Sequence, residues 1–340
     1  MGILVGNMKS AFSLVYSKTV LIFSLSLLLL MLTSGATLGR ADVTAAMGAK
    51  EDRASTAFVG SVQAVKTEQA LFVNPPGEPE KWVEAERILT EIAQYKVDGK
   101  LKERTAYHPD GSSAVRVVRV YNDTGRLKTE QLYNPGDTLW RKTTYTYNEA
   151  GQLTEAVSTD TDGDVWFRDV YVYNQAGQLS QVDHHDPDGS FLHRATYTYN
   201  PQGQITERSL SDADGSRISS NVYAYETDGK LGKLGKMSAV TTQGRSGSLT
   251  SRWVYAYDER GNEREWIAYK ADGSKRRKEV YAYEYDARGN WVKRITSEWI
   301  PDGQAGYLEL AEAVYRDITY YAEPQAGPAV TDQKKNDELR

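Results

Sequence analysis

"TTYTYNEAGQL", residues 143–153, decides how the rest of the chain is read. Tyr145 and Tyr147 fall on one side of an extended segment, Asn148 and Gly151 bracket a turn, and Leu153 opens the next segment. The run returns 26 residues later as "DVYVYNQAGQL" (169–179), and again as "ATYTYNPQGQI" (195–205). A fixed internal period marks a repeat array. The glycines that follow the tyrosine segments are Gly125, Gly151, Gly177, Gly203, Gly229, Gly261 and Gly289, at gaps of 26, 26, 26, 26, 32 and 28. The long gap holds an insertion around "LGKLGKM" (231–237).

A second glycine lies inside most units, at Gly111, Gly163, Gly189, Gly215 and Gly273, so steps of 12 and 14 alternate. "DPDG" (186–189) has the Asp, Pro and Gly placement of a type I turn, and "NEAG" and "NQAG" have the equivalent Asn and Gly. Glycine at the exit supplies positive φ and a bulge that restores strand twist. Strands of about 8–9 residues, each about 30 Å long, fit these steps. Because every step is even and strand side chains alternate with period two, Tyr145, Tyr171, Tyr197, Tyr223, Tyr255 and Tyr283 share one face. Leu153, Leu179, Ile205 and Leu231 start the intervening strands. The expected fold is all-β: an elongated antiparallel meander of tandem two-strand repeats, about sixteen to eighteen strands over 82–321, forming an open or superhelically curved sheet.

Composition narrows the function. Tyr supplies 23 of the apolar residues and Phe only 6, so the packing surface has many hydroxyls to satisfy. Net charge is −5 with both signs interspersed, which argues against a nucleic-acid partner. There is no cysteine, so disulfides, thiolate metal sites and Cys nucleophiles are excluded. Lys9 and Lys18 precede the apolar run "VLIFSLSLLLLML" (20–32), followed by Ser34, Gly35 and Ala36, the order of a secretory signal. Residues 1–41 are therefore expected to be a signal peptide, with an uncleaved membrane anchor as the alternative. Residues 42–81 read as a largely disordered linker closed by "NPPGEPE" (74–80), and 322–340 as a polar tail. Export predicts a secreted, periplasmic or cell-surface location.

The tyrosine segments resemble the YD repeat of RHS-type cell-surface and toxin-delivery proteins. The matching stretches are "YTYNEAGQL" (145–153), "YVYNQAGQL" (171–179), "YTYNPQGQI" (197–205), "YAYETDGKL" (223–231), "YAYDERGN" (255–262) and "YEYDARGNW" (283–291). "YKVDGKLKERTAYHPDG" (95–111) is similar to MORN-like units. The resemblance implies long β-sheets of the kind that wind into a shell around a toxin. This array is short for such a shell, no separate toxin domain follows it, and Asn often replaces Asp.

Three groups of residues are candidates for chemistry. His184, His185 and His193 in "DHHDPDGSFLH" (183–193) are a candidate metal site, set against the plainer reading of polar residues flanking a turn. "STDTDGDVWFRD" (158–169) imitates a calcium loop through Asp160, Asp162, Gly163 and Asp169, and the Asp-Gly turns as a set form an acidic rim that turn propensity already explains. Tyr147, Tyr173, Tyr199, Tyr225, Trp253 and Tyr257 are candidate binding aromatics, set against a role in the sheet's own packing. No Gly-rich phosphate loop, G-x-S-x-G elbow or H-E-x-x-H motif occurs. The expected protein is a non-catalytic, exported scaffold without a cofactor, with a cell-surface protein or glycan as partner. The alternatives are an accessory or remnant of an RHS-type toxin-delivery system, and a carbohydrate-active enzyme.

Overall fold

The computed structural model describes residues 58–78, 80–226, 235–303 and 306–322. The expected signal segment, Gly229 and nearly all of the expected tail lie outside them. The described chain is a meander of β1 (Val62–Val73), a short β2 (Val83–Glu84), β3 (Ile88–Tyr95), β4 (Leu101–Tyr107), β5 (Ser113–Tyr121), β6 (Leu127–Tyr133) and β7 (Leu139–Tyr147). It continues as β8 (Leu153–Thr159), β9 (Val165–Tyr173), β10 (Leu179–His185), β11 (Phe191–Tyr199), β12 (Ile205–Asp212) and β13 (Arg217–Tyr225). The last six are β14 (Met237–Gln243), β15 (Leu249–Tyr257), β16 (Glu263–Lys270), β17 (Lys275–Tyr285), β18 (Trp291–Ile300) and β19 (Tyr307–Tyr320).

Each unit is built the same way. At the tyrosine turn, Gly151 N donates to Asn148 O and Asn148 N to Gln152 O, with Gly151 at φ 79°. Tyr147 then faces Leu153 while Thr146 faces Glu155, which leaves Thr154 as a bulge. At the opposite end Thr159 faces Val165 and Ser158 faces Phe167, which bulges Trp166. Two bulges per unit strengthen the right-handed twist and bend the sheet. Register adds tilt. Thr143 faces Ser158 and Ser158 faces Phe167, whereas the repeat equivalent of Thr143 is Asp169. A two-residue slip over two strands tilts them about 35° from the sheet axis.

Twist and tilt together close the sheet. β1 runs antiparallel to β19, from Val62 opposite Tyr320 to Leu71 opposite Glu312, and its other edge pairs with β3, with Val65 opposite Ala93. All strands except β2 therefore form one ring, eighteen of the nineteen. The antiparallel meander is as expected, but the open or superhelical sheet is corrected to a closed barrel. The expected 42–81 linker is corrected with it, because Val62–Val73 within it is the closing strand. "VQAVKTEQALFV" carries no tyrosine pair and no turn glycine, so only its ladders reveal its role. Ring closure removes the unpaired edges that an open array would present.

Ladder alternation sorts the side chains. One face carries Tyr145, Ala156, Tyr171, Val182 and Tyr197; the other carries Thr146, Glu155, Val170, Asp183 and Arg194. The tyrosine face is the more buried and holds the core cluster of Leu153, Ala156, Tyr171, Leu179, Val182, Ala195 and Tyr197. Side chains converge on the concave side of a closed sheet, so this face lines the lumen. A circular barrel of eighteen strands at this tilt is about 34 Å across, and a wall of inward side chains leaves a lumen about 20 Å wide.

Candidate functional site

The lumenal wall begins with the tyrosines. Tyr147 OH donates to Leu127 O at 2.8 Å, Tyr173 OH to Leu153 O at 2.9 Å, Tyr199 OH to Leu179 O at 2.5 Å, and Tyr225 OH to Ile205 O at 2.7 Å. Tyr257 OH meets Met237 O at 2.8 Å in the same way. Each acceptor lies twenty positions earlier, at the bulged start of the neighbouring strand. Burial raises Tyr173 to about 12, against a smaller downward pull from the Leu153 carbonyl. The five tyrosines singled out as binding aromatics thus share one structural duty: their hydroxyls satisfy carbonyls at the bulges.

The turns around the tyrosine rim are coupled side chain to backbone. Asn148 Nδ2 donates to Gln152 Oε1 at 3.0 Å, and Gln152 Nε2 reaches forward to Gly177 O at 3.3 Å. Gln204 Nε2 reaches Gly235 O at 2.8 Å, and Lys236 bonds Gly261 O. Cationic residues beside the glycines also cover tyrosine rings: Arg126 (after Gly125) over Tyr147 at 5.9 Å, Lys236 (after Gly235) over Tyr257 at 4.7 Å, and Arg260 (before Gly261) over Tyr285 at 4.2 Å.

Trp253 lies inward and packs on Trp266, with centroids 5.0 Å apart. Trp266 donates through Nε1 to Tyr281 OH at 2.6 Å. Near the seam, Arg316 lies 3.4 Å from the centre of the Trp291 ring and 5.5 Å from that of Phe58, and burial lowers it to about 10. Sequence reasoning missed Trp266, Trp291 and Arg316, which sit on strands without the tyrosine pair. Period-two counting alone does not place them, because the bulge at the start of such a strand shifts its parity, as where Tyr257 faces Glu263 and Tyr255 faces Trp266.

The three candidate metal histidines do not converge. His184 and His193 face the lumen with stacked rings 4.5 Å apart. His185 is on the outer face, its Nδ1 3.2 Å from Gly189 O and its ring against Phe191. The calcium-like loop is likewise dispersed: Asp160 Oδ1 accepts from the backbone N of Asp162 and Asp164, while Asp169 is lumenal and meets His184 Nδ1 at 2.6 Å. Among the described residues, no group of three or more acidic or histidine side chains is placed to hold a metal ion.

Both faces of the wall are charged. Outward ion pairs include Arg194–Asp183 at 2.6 Å and Lys278–Glu265 at 2.6 Å, and inward ones include Arg119–Glu130 at 2.8 Å and Arg294–Glu312 at 3.3 Å. A charged side chain on a lipid-facing barrel surface costs about 2–4 kcal/mol at the bilayer midplane. Among the described residues, charged pairs therefore interrupt both faces of the wall.

No family model matches the chain, and no curated protein matches it. Among solved structures it is similar to a porin-like protein from Bacteroides uniformis, at 13% identity and TM-score 0.39, over 77% of this chain and 98% of that one. A porin-like protein from Bacteroides vulgatus is similar at 14% identity and TM-score 0.32, over 76% of this chain and 98% of that one. The TcdB2–TccC3–Cdc42 complex is similar at 15% identity and TM-score 0.27, over 67% of this chain and 14% of that one. These likenesses are distant, and the fold rests on the strand pairings themselves.

Proposed function

We propose that the chain is a non-catalytic, exported β-barrel scaffold of the cell envelope that binds a cell-surface protein or glycan through its closed wall. The observation that carries this reading is the closure of β1 onto both β3 and β19 around a lumen lined by aromatic and paired polar groups. Closed, rigid and charged on both faces, the wall suits an aqueous compartment, and the signal-like N-terminus supplies the route to one. Lumenal polar groups are largely spent on one another, as in Trp266–Tyr281 and Asp169–His184, which supports holding over turnover.

The test is capture from envelope fractions, alongside a glycan array, with the chain from Asp42 onward. Specific capture that weakens with Trp253→Ala, on a variant of unchanged circular dichroism, is the expected result. Turnover of a glycan under the same conditions overturns it.

The repeat resemblance favours a second reading, an accessory of toxin delivery. Volume limits it. A 100-residue domain has a radius of gyration of about 13 Å and a width of 30 Å or more, too wide for a lumen of about 20 Å. Such an accessory would hold a short segment, and a toxin peptide co-purifying with the barrel is the result that would favour it.

A further inference from the structure

Four adjacent strands bring Asp169 (β9), His184 (β10), His193 (β11) and Asp212 (β12) into one lumenal row, each opposite the next in the ladder. His184 has its counter-charge, with Nδ1 2.6 Å from Asp169 Oδ1. It is wedged between Phe167, at 5.2 Å, and His193, stacked at 4.5 Å with an interplanar angle of 20°. His193 has no such partner: its Nε2 is buried without a hydrogen bond, and so is Asp212 Oδ1. The other Asp212 oxygen is engaged by Arg245 at 3.3 Å. Arg208, on the same face of β12 and 7% exposed, adds a positive charge nearby, with its Nε and Nη2 also unpartnered. Among the described residues seven buried side-chain polar atoms lack a partner, and four belong to His193, Arg208 and Asp212. This sector of the wall is therefore already its least satisfied part.

We propose that the stacked pair His184–His193 is an acid-sensitive seam, in which a proton on each ring sets two imidazolium faces against each other and loosens the wall between β9 and β12. The charged groups around His193 decide the sign. Asp169 favours its protonation, while His184 and Arg208 oppose it; Asp212 is directly opposite on β12, and Asp183, His185 and Arg194 lie on the outer face. Burial is the largest influence and holds the His193 imidazolium below the ordinary histidine range, followed by His184. A histidine depressed in the folded state gives stability that is present above its unfolded value, about 6.5, and is lost as pH falls toward its folded value.

The experiment compares thermal midpoints of the chain from Asp42 onward at pH 7 and pH 5, for wild type, His193→Phe and His193→Gln. It also includes an imidazole NMR titration of wild type. The expected result is a His193 titration below that of an ordinary histidine. With it comes an acid-induced fall in midpoint about 2–4 °C larger in wild type than in His193→Phe, in which the ring stays but the charge does not. The proposal is overturned if His193 titrates at or above the ordinary value, as it would if Asp212 swung in to meet the charge. It is also overturned if both variants keep the wild-type pH dependence. Should neither variant fold, the wild-type titration decides alone.

Discussion

Tyr173 OH, at the end of β9, donates a 2.9 Å hydrogen bond to the carbonyl oxygen of Leu153, twenty positions earlier at the start of the neighbouring strand β8. The bulge at Thr154 interrupts the ladder at Leu153, and the phenol replaces the lost partner. Tyr173→Phe keeps the ring and strands that carbonyl. The expected loss is about 1 kcal/mol, rising to about 3 if water cannot reach the oxygen. Denaturant unfolding checks it, and an unchanged midpoint would show that the hydroxyl is dispensable.

Alkaline pH should act on the same groups. Burial raises Tyr173 and Tyr283 to about 12. The unfolded chain ionises its tyrosines near 10, so between about pH 10 and 12 it binds fewer protons than the folded barrel. Stability is expected to fall as pH rises through that window. Tyrosinate absorbance should lag behind that of free tyrosine until the fold is lost; ionisation of every tyrosine near 10 in the folded protein would contradict this.

Gly151 and Gly163 separate two effects. Both have positive φ, at 79° and 93°. A side chain at Gly163 meets open space, whereas one at Gly151 meets the Arg126 guanidinium. Alanine at either site should cost about 1–2 kcal/mol from backbone strain. Gly151→Ala should cost more, because Arg126 must also leave its place near Tyr147. Equal midpoints for the two variants would indicate that the rim contact is worth nothing.

Deleting residues 152–177 removes β8 and β9, two of the eighteen ring strands, and should leave a sixteen-strand barrel that folds. Deleting 58–73 removes β1 and bares the edges of β3 and β19. That variant should aggregate. Light scattering after size exclusion distinguishes the two, and a soluble monomer from the second deletion would show that the ring need not close.

The units were legible in the sequence because they are local. Even spacing, Asn-x-x-Gly turns and the Tyr-x-Tyr pairs all act within about a dozen residues. Ring closure was not legible, since β1 carries none of these marks and its partner Tyr320 lies some 260 positions from Val62. The duty of the tyrosine hydroxyls was hidden for a related reason. A side chain's face follows from period two, but its acceptor depends on a bulge and a register slip that only the assembled sheet defines. His185 shows the same limit from the other side: neighbouring histidines invite a shared ion, and strand alternation sends one of them outward.

Val62 faces Tyr320, and Tyr321 N donates to Ser61 O at 2.9 Å, so the described chain starts and stops at adjoining points on one rim. A linear solenoid unravels from its two end repeats, which have one neighbour each. Here every strand of the ring has two, so no strand of the described barrel is an end repeat. Joining residue 322 to 58 and cutting instead at the Gly163 turn should yield a permuted protein with the same melting behaviour. Unfolding of the native barrel should accordingly start wherever the wall is weakest and not at its termini.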